Sequence, residues 1–448
     1  MKANKWLLLF LAVCLVFSLA ACGGGGGGSD TTADNGDDPA GGGGNGDDLA
    51  GGDNGGGSAG GDDPAGGGNG GNGGGGSGEP VIPAFDDYLC FTANENNCSI
   101  STTVTGSLAI PPSLEYSKDK ENWEPFIINS TTVDLPNTND KVYIRATSSN
   151  ASFSTLEAII HFVISRSVSA SGNIMSLLEK YCRVLSVPEQ AFFQLFENNT
   201  TLTTAPDLPA TTLAIGCYSE MFDGCSALAT APALPATTLA DYCYFHMFDG
   251  CSSLTAVPTE LPATSLATRC YECMFYGCSA LTTAPALPAT TLAEYCYCSM
   301  FEDCSSLTTV PTALPATTLE GCCYYYMFSG CKALTTAPQL PATTLAYWCY
   351  NSMFSGCKAL TTAPELPAIK LVNGCYGYMF DGCSNLSSIT AHFTDWDEVP
   401  NATSNWVEGV AATGNFYCLK PDEIGGLEVI YDEDHIPSGW TEHDLSTP

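Results

Sequence analysis

One unit recurs down most of this chain, and its period limits the folds open to it. A Met-Phe pair stands at 221, 247, 274, 300, 327, 353 and 379, at spacings of 26, 27, 26, 27, 26 and 26 residues. Leu195-Phe196, 26 residues before the first, is a degenerate opening copy. A period of this length means stacked supersecondary units, none of which buries its apolar side chains alone. One unit reads Leu287-Pro288-Ala289-Thr290-Thr291-Leu292-Ala293, then Cys296-Tyr297, Met300-Phe301, Cys304 and Leu307-Thr308-Thr309. The occasional extra residue falls in the Pro-to-Leu-Pro turn, as in Val257 to Pro262 and Val310 to Pro315. Insertions are tolerated where backbone is exposed, so this turn lies outside the core.

Local chemistry predicts the parts of the unit. Leu-Thr-Thr favours an extended strand, and the following Pro stops it because it cannot donate to a ladder. From Cys296 through Tyr297 to Met300-Phe301, apolar groups fall at i, i+1, i+4 and i+5, which fits one face of a short helical turn. The Gly before the second Cys, at 224, 250, 277, 330, 356 and 382, suits a left-handed end to that turn. The expectation is an α/β repeat solenoid of short strands plus short helical turns. About eight units fill residues 171–390, with a C-terminal cap region over 391–448.

At these residues the chain resembles the BspA-like leucine-rich-repeat proteins of bacterial surfaces. Met-Phe-x-Gly-Cys-x-x-Leu-Thr is similar to that family's Ala-Phe-x-x-Cys-x-x-Leu core. The resemblance covers about 190–390, with a weaker match in the tail. This chain departs from the family in its longer unit, in Met for Ala, and in a second Cys. The resemblance implies a leucine-rich-repeat solenoid on an exported protein, with adhesion to host proteins, glycans or other bacteria as the usual role. Analogy of fold names no ligand.

Cysteines stand eight apart in seven units: Cys217 and Cys225, Cys243 and Cys251, Cys270 and Cys278, Cys296 and Cys304, Cys323 and Cys331, Cys349 and Cys357, Cys375 and Cys383. The degenerate first unit has Ala191 and Asn199 instead, so it lacks both. Two readings stay open. Export to an oxidising compartment favours disulfides; an anaerobic setting favours a ladder of buried thiols, Cys being a good small core residue. Zinc fails on spacing and on the absence of partner histidines. Cys273, Cys298 and Cys322 are extra to the scheme.

The other segments read differently. Residues 1–21 form an export signal: Lys2 and Lys5, an apolar run too short for a membrane span, then Leu19-Ala20-Ala21 before Cys22. Small residues ahead of a Cys resemble a bacterial lipobox, which implies cleavage before Cys22 and acyl chains on its thiol. The expected place is the bacterial cell surface, on the outer membrane and facing outward, with the lipid as the only membrane contact. Residues 22–79 form a disordered Gly- and Asp-rich tether, and 23–78 alone hold 29 of the 46 glycines. Flexible-chain scaling gives that spacer a reach of roughly 40 Å. Residues 80–170 alternate short β-branched runs with turns, which predicts a small all-β, sandwich-like module. His161 in its last run reads as core, and Cys90 and Cys98 read as a pair or as incidental. Trp396, Trp406, Phe416-Tyr417 and Trp440 suit a cap over the last unit, and the acidic run 431–435 reads as solvated.

Charge and motif bound the function. A net charge of −34 excludes nucleic-acid partners and anionic membrane faces, since phosphate contacts need Lys and Arg. Residues 217–383 carry twelve acidic and four basic side chains, which disfavours heparin-like ligands. The histidines show no motif, and no nucleophile elbow, phosphate loop or His-Glu-x-x-His occurs, so no enzyme, metal or cofactor is expected. The positions between Cys-Tyr and Met-Phe, and the two before the first Cys, vary freely between units. They hold Tyr242, Phe245, Tyr295, Tyr325, Tyr326, Tyr347, Trp348 and Tyr378, residue types suited to protein or glycan contacts. A solvated ridge with half-buried aromatics is the competing reading. The expected function is a surface-anchored binding protein, an adhesin. The alternatives are a glycan-capturing lipoprotein for nutrient uptake and a structural coat protein without a specific ligand.

Overall fold

The computed structural model describes residues 87–107, 110–150, 153–155, 157–393, 399, 401–419 and 436–445. All belong to one compact unit, Ile82–Pro448. The export signal, Cys22, the tether, Trp396 and the acidic run 431–435 lie outside the described residues.

Alternating buried and open residues build the first layer. Strands β1 (Leu89–Ala93), β2 (Cys98–Gly106), β3 (Leu114–Ser117), β4 (Glu124–Phe126), β5 (Val133–Leu135), β6 (Lys141–Ala146), β7 (Ala158–Ile164) and β8 (Val168–Ser171) form two antiparallel sheets. One has the order β4-β3-β6-β1-β8 and the other β5-β2-β7. In β6 the pattern is strict: Val142, Ile144 and Ala146 are buried while Lys141, Tyr143 and Arg145 face outward. The module closes the open end of the array. Phe162 stacks on Phe196 at 5.5 Å and Phe153 lies 6.3 Å from Phe192, so each begins one of the two aromatic columns of the array. His161 is half-buried at this junction, with Nδ1 2.9 Å from the Gln194 carbonyl oxygen. Cys90 and Cys98 are separate buried thiols.

The expected α/β solenoid with a helical turn per unit is overturned. Among the described residues the one helical element is the 3-10 turn Ile174–Leu177, and no α-helix occurs. The backbone explains why. Every fourth residue is left-handed: 216, 220 and 224, then 242, 246 and 250, then 269, 273 and 277, onward to 374, 378 and 382. An α-helix tolerates no such residue. The donors alternate as well. The N–H groups of Cys217, Ser219, Met221, Asp223 and Cys225 bond three residues back, to Ala214, Gly216, Tyr218, Glu220 and Phe222. Those of Gly216, Tyr218, Glu220, Phe222 and Gly224 cross to the next unit, to the carbonyls of Asp241, Cys243, Phe245, Met247 and Asp249, at 2.7–3.0 Å. Each left-handed residue is third in a four-residue turn, the place where a type II turn demands positive φ. Apolar pairs at i, i+1, i+4 and i+5 fit this string of turns as well as they fit a helix.

Between strings, successive units touch through short parallel bridges such as Thr204 to Thr230 to Ala256, and Thr283 to Thr309. Two paired residues, β9 (Ser186–Val187) and β10 (Thr212–Leu213), open this set. Inside, the Tyr rings from Tyr218 to Tyr376 stack at 5.7–5.9 Å with planes within 10°. The Phe rings from Phe196 to Phe380 stack at 5.3–5.9 Å. The apolar core continues unbroken from Leu89 to Trp440.

The C-terminal region holds more repeat than its sequence suggests. Asn401, Asn405 and Gly409 are left-handed at the same four-residue spacing, and Tyr376 and Phe380 donate to Ala402 and Trp406. This is another turn string, with Ala402 where the first Cys would be. Behind it, β11 (Ser388–Ala391), β12 (Asn415–Cys418) and β13 (Thr441–Asp444) pair in parallel. Trp406 and Phe416 are buried, with rings 6.1 Å apart.

Candidate functional site

The turn string sorts side chains by position. Residues equivalent to Cys217-Tyr218, Met221-Phe222 and Cys225 point inward and are buried in every unit from 217 to 383. The positions between them form further columns; the two between Cys-Tyr and Met-Phe, like the two ahead of the first Cys, are the freely varying ones. Their backbone gives a control. In the 224 column, left-handed throughout, seven of nine residues are Gly and the others are Asn198 and Asp303. The 216 column has the same left-handed backbone but holds Gln190, Tyr242, Arg269, Tyr295, Cys322 and Trp348, with Gly only at 216 and 374. The 220 column has no Gly at all and includes His246, Cys273, Tyr326 and Tyr378. A bulky left-handed residue costs about 1–2 kcal/mol, so these side chains persist against the preference of their backbone.

The eight aromatic candidates fall on this face but differ in access. Tyr347, Trp348 and Tyr378 are exposed, at 46%, 41% and 42%. Tyr295, Tyr325 and Tyr326 are half-buried. Tyr242 and Phe245 are buried, which corrects the expectation of exposure: their rings meet edge-on at 5.7 Å, and His246 lies 4.2 Å from Phe245. Two glycines seat the exposed rings. A Cβ on Gly321 would stand 2.2 Å from the Tyr347 ring, and one on Gly374 would stand 2.6 Å from Trp348. Tyr347 reaches back across two units and donates from Oη to Glu294 at 2.7 Å. That bond holds its phenol pKa up to about 12. Tyr325 lies 5.7 Å from Trp348 and 4.4 Å from Tyr326, so one patch spans these rings.

The sequence reading missed an ionic patch on the earlier units. Gln194 donates to Glu220 at 2.6 Å, and His246 Nδ1 lies 2.8 Å from Asp249. Arg269 grips both oxygens of the buried Glu272, at 3.1 and 2.9 Å. Burial first, and then the neighbouring Asp249 carboxylate, lift Asp223 to about 7. Burial opposes charge on His246, but the Asp249 bond and the carboxylates of Glu272 and Glu220 outweigh it and hold the imidazole above its ordinary value. Cys273 follows His246 in the same column, and burial pushes its thiol well above the ordinary range, which denies it the thiolate of a nucleophile. The signal was present in the sequence: aligning the units column by column places His246, Arg269 and Glu272 among the variable positions.

The cysteines form two separate interior columns. All are buried free thiols in the structure. In the second column each thiol donates to the Phe carbonyl of the preceding unit: Cys225 to Phe196 at 3.0 Å, Cys251 to Phe222 at 3.2 Å, Cys278 to Phe248 at 3.2 Å, and so on to Cys383 and Phe354 at 3.0 Å. Burial pushes Cys243, Cys296 and Cys383 up to about 12. Electrostatic neighbours run along a column, Cys270 with Cys243 and Cys296, and Cys331 with Cys357 and Cys304. The three extra cysteines come from successive units onto the variable face, where Cys273 N–H donates to the Cys298 carbonyl at 2.9 Å.

No protein-family model matches the chain. No curated protein is similar enough to count as a match. Among solved structures the chain is similar to a leucine-rich repeat protein from Bacteroides ovatus ATCC 8483. The two are 16% identical over 61% of this chain and 87% of that one, with a TM-score of 0.17. A score that low superposes neither molecule on the other, so the repeat architecture rests on the chain's own columns.

Proposed function

We propose that this chain is a binding protein displayed at a bacterial cell surface, held through lipid on Cys22. Its variable face would meet the partner, as an adhesin for host proteins, glycans or neighbouring bacteria. The supporting observation is the occupancy of the left-handed columns. Where the backbone alone decides, Gly fills the position; in the 216 and 220 columns Tyr, Trp, Arg and His stand instead. Side chains kept against their backbone preference serve something other than folding. The reading is of a binder and not of an enzyme.

The test is the double variant Tyr347→Ala/Trp348→Ala, assayed for attachment to cells, matrix proteins and a glycan array. Binding should weaken while the unfolding midpoint stays in place. Unchanged attachment by a folded double variant overturns the reading. Anchorage is tested separately, by loss of labelled fatty-acid incorporation in Cys22→Ser.

A further inference from the structure

The variable face already shows how it holds a cation. Arg269 lies 4.1 Å from the centre of the Tyr295 ring and 5.9 Å from that of Tyr242, while its guanidinium is paired with Glu272. The β-module repeats the arrangement: Arg145 lies 3.5 Å over Trp123 and pairs with Glu115 at 2.6 Å. Aromatic faces attract cations through their quadrupole, and a carboxylate beside the ring adds the charge-assisted bond. Later in the array, among the described residues, no Lys or Arg is stacked on Tyr347 or Trp348. Tyr347 and Trp348 are exposed, Glu294 accepts from Tyr347, and Glu320 adjoins Gly321, against which the Tyr347 ring is seated. The stretches 294–302, 321–329, 347–355 and 373–381 contain no Lys or Arg.

We propose that the exposed rings of Tyr347 and Trp348, with Glu294 and Glu320 on the Tyr347 side, take an arginine or lysine side chain of a basic protein segment. The inference rests on the binding-face reading above and names the partner's chemistry. The partner's cation would lie over the rings as Arg269 lies over Tyr295, with Glu294 and Glu320 in the part of Glu272. A neutral sugar would use the rings without needing the two carboxylates, and an anionic glycan would be repelled.

The experiment measures binding of a short arginine-containing peptide, its citrulline counterpart and a neutral oligosaccharide to the full chain. The variants are Trp348→Ala, Glu294→Gln/Glu320→Gln, and Asp37→Asn/Asp38→Asn as a charge control in the tether. Citrulline, Trp348→Ala and the glutamate double variant should each weaken binding about tenfold, with the tether variant unchanged and all variants folded. Equal weakening by the tether variant overturns the proposal, because it means diffuse attraction. Oligosaccharide binding that needs Trp348 but not the two carboxylates also overturns it and leaves the binding face standing. If none of the probes binds and the Tyr347/Trp348 variant still attaches to cells, both readings fail.

Discussion

Interior and outward columns share one backbone string and obey opposite rules. Along nine residues the chain places two side chains in, two out, two in, two out and one in. The inward positions repeat Cys, Tyr, Met and Phe from unit to unit, while the outward ones change from Glu220 to His246 to Cys273 to Tyr326. The inward positions are fixed by contact with their own copies: Tyr297 packs between Tyr271 and Tyr324 at 5.7 and 5.8 Å, so a change in one unit is felt in three. The variable positions are not held by copies of themselves: Phe245 and Glu272 are covered by unlike neighbours, while Trp348 and Tyr378 are exposed. Separating the two sets within one string lets recognition change while the stack stays the same.

The sharpest way to break this comparison is through the thiols. Alkylation of unfolded, unreduced chain should label all fourteen column cysteines, and mass spectrometry showing bridged pairs would end the account of the second column. Interior thiols and outward carboxylates should also respond to opposite ranges of pH. The thiol pKa values are raised from about 9 toward 12 in the folded state, so the folded chain holds protons that the unfolded chain loses in that window. Stability is fully present below pH 9 and falls as the pH rises through that range. With about 1.4 kcal/mol per pH unit for each such thiol, the loss at pH 10 under reductant should reach several kcal/mol in urea unfolding.

Next in size, Phe301→Ala should cost about 3–5 kcal/mol, as for a large side chain removed from a packed core. Tyr326→Ala, outward on the following unit, should stay within about 1 kcal/mol. Equal costs would erase the distinction between the columns. Glycines give a smaller, two-way test. Gly356 has φ +71° and room for a Cβ, with Gly330 atoms at 3.7–3.8 Å, so Gly356→Ala should cost about 1–2 kcal/mol in conformation alone and leave binding unchanged. Gly321→Ala drives a methyl into the Tyr347 ring and should weaken binding through the loss of its bond to Glu294, with little change in midpoint. The smallest effect concerns Asp223. Its folded pKa is raised from 3.8 to about 7, so its contribution is present at low pH and declines as pH rises through that window. Asp223→Asn should therefore raise stability at pH 8 by on the order of 1 kcal/mol after solvent screening, and leave it nearly unchanged at pH 4.

Much of this was legible in the residues. The period, the inward set and the variable positions follow from alignment of the units, because packing against copies enforces identity. The strands of the β-module fall where β-branched runs alternate with turns, as at Thr102 to Thr105 within β2. The turn string was not legible, since paired apolar residues four apart satisfy a helix equally well and left-handed Tyr242, Arg269 or Trp348 leaves no mark in composition. Exposure was not legible either. Tyr242 is buried among Phe245 of its own unit and Arg269, 27 positions away and one unit along. Within the ionic patch His246–Asp249 and Arg269–Glu272 each lie three residues apart in one unit, a spacing visible in the residues, while only Gln194 to Glu220 crosses between units.

The one-way crossing of N–H groups has an electrical consequence. Alternate peptide planes in every string lie along the stack, with N–H toward the following unit and C=O toward the preceding one. Each such plane is a dipole of about 3.5 D, and head-to-tail alignment makes them add. The array is thus an electret, permanently polarised with its positive pole at the end where Asn401 to Gly409 lie. An α-helix carries its positive pole at its start; this stack carries it at its finish.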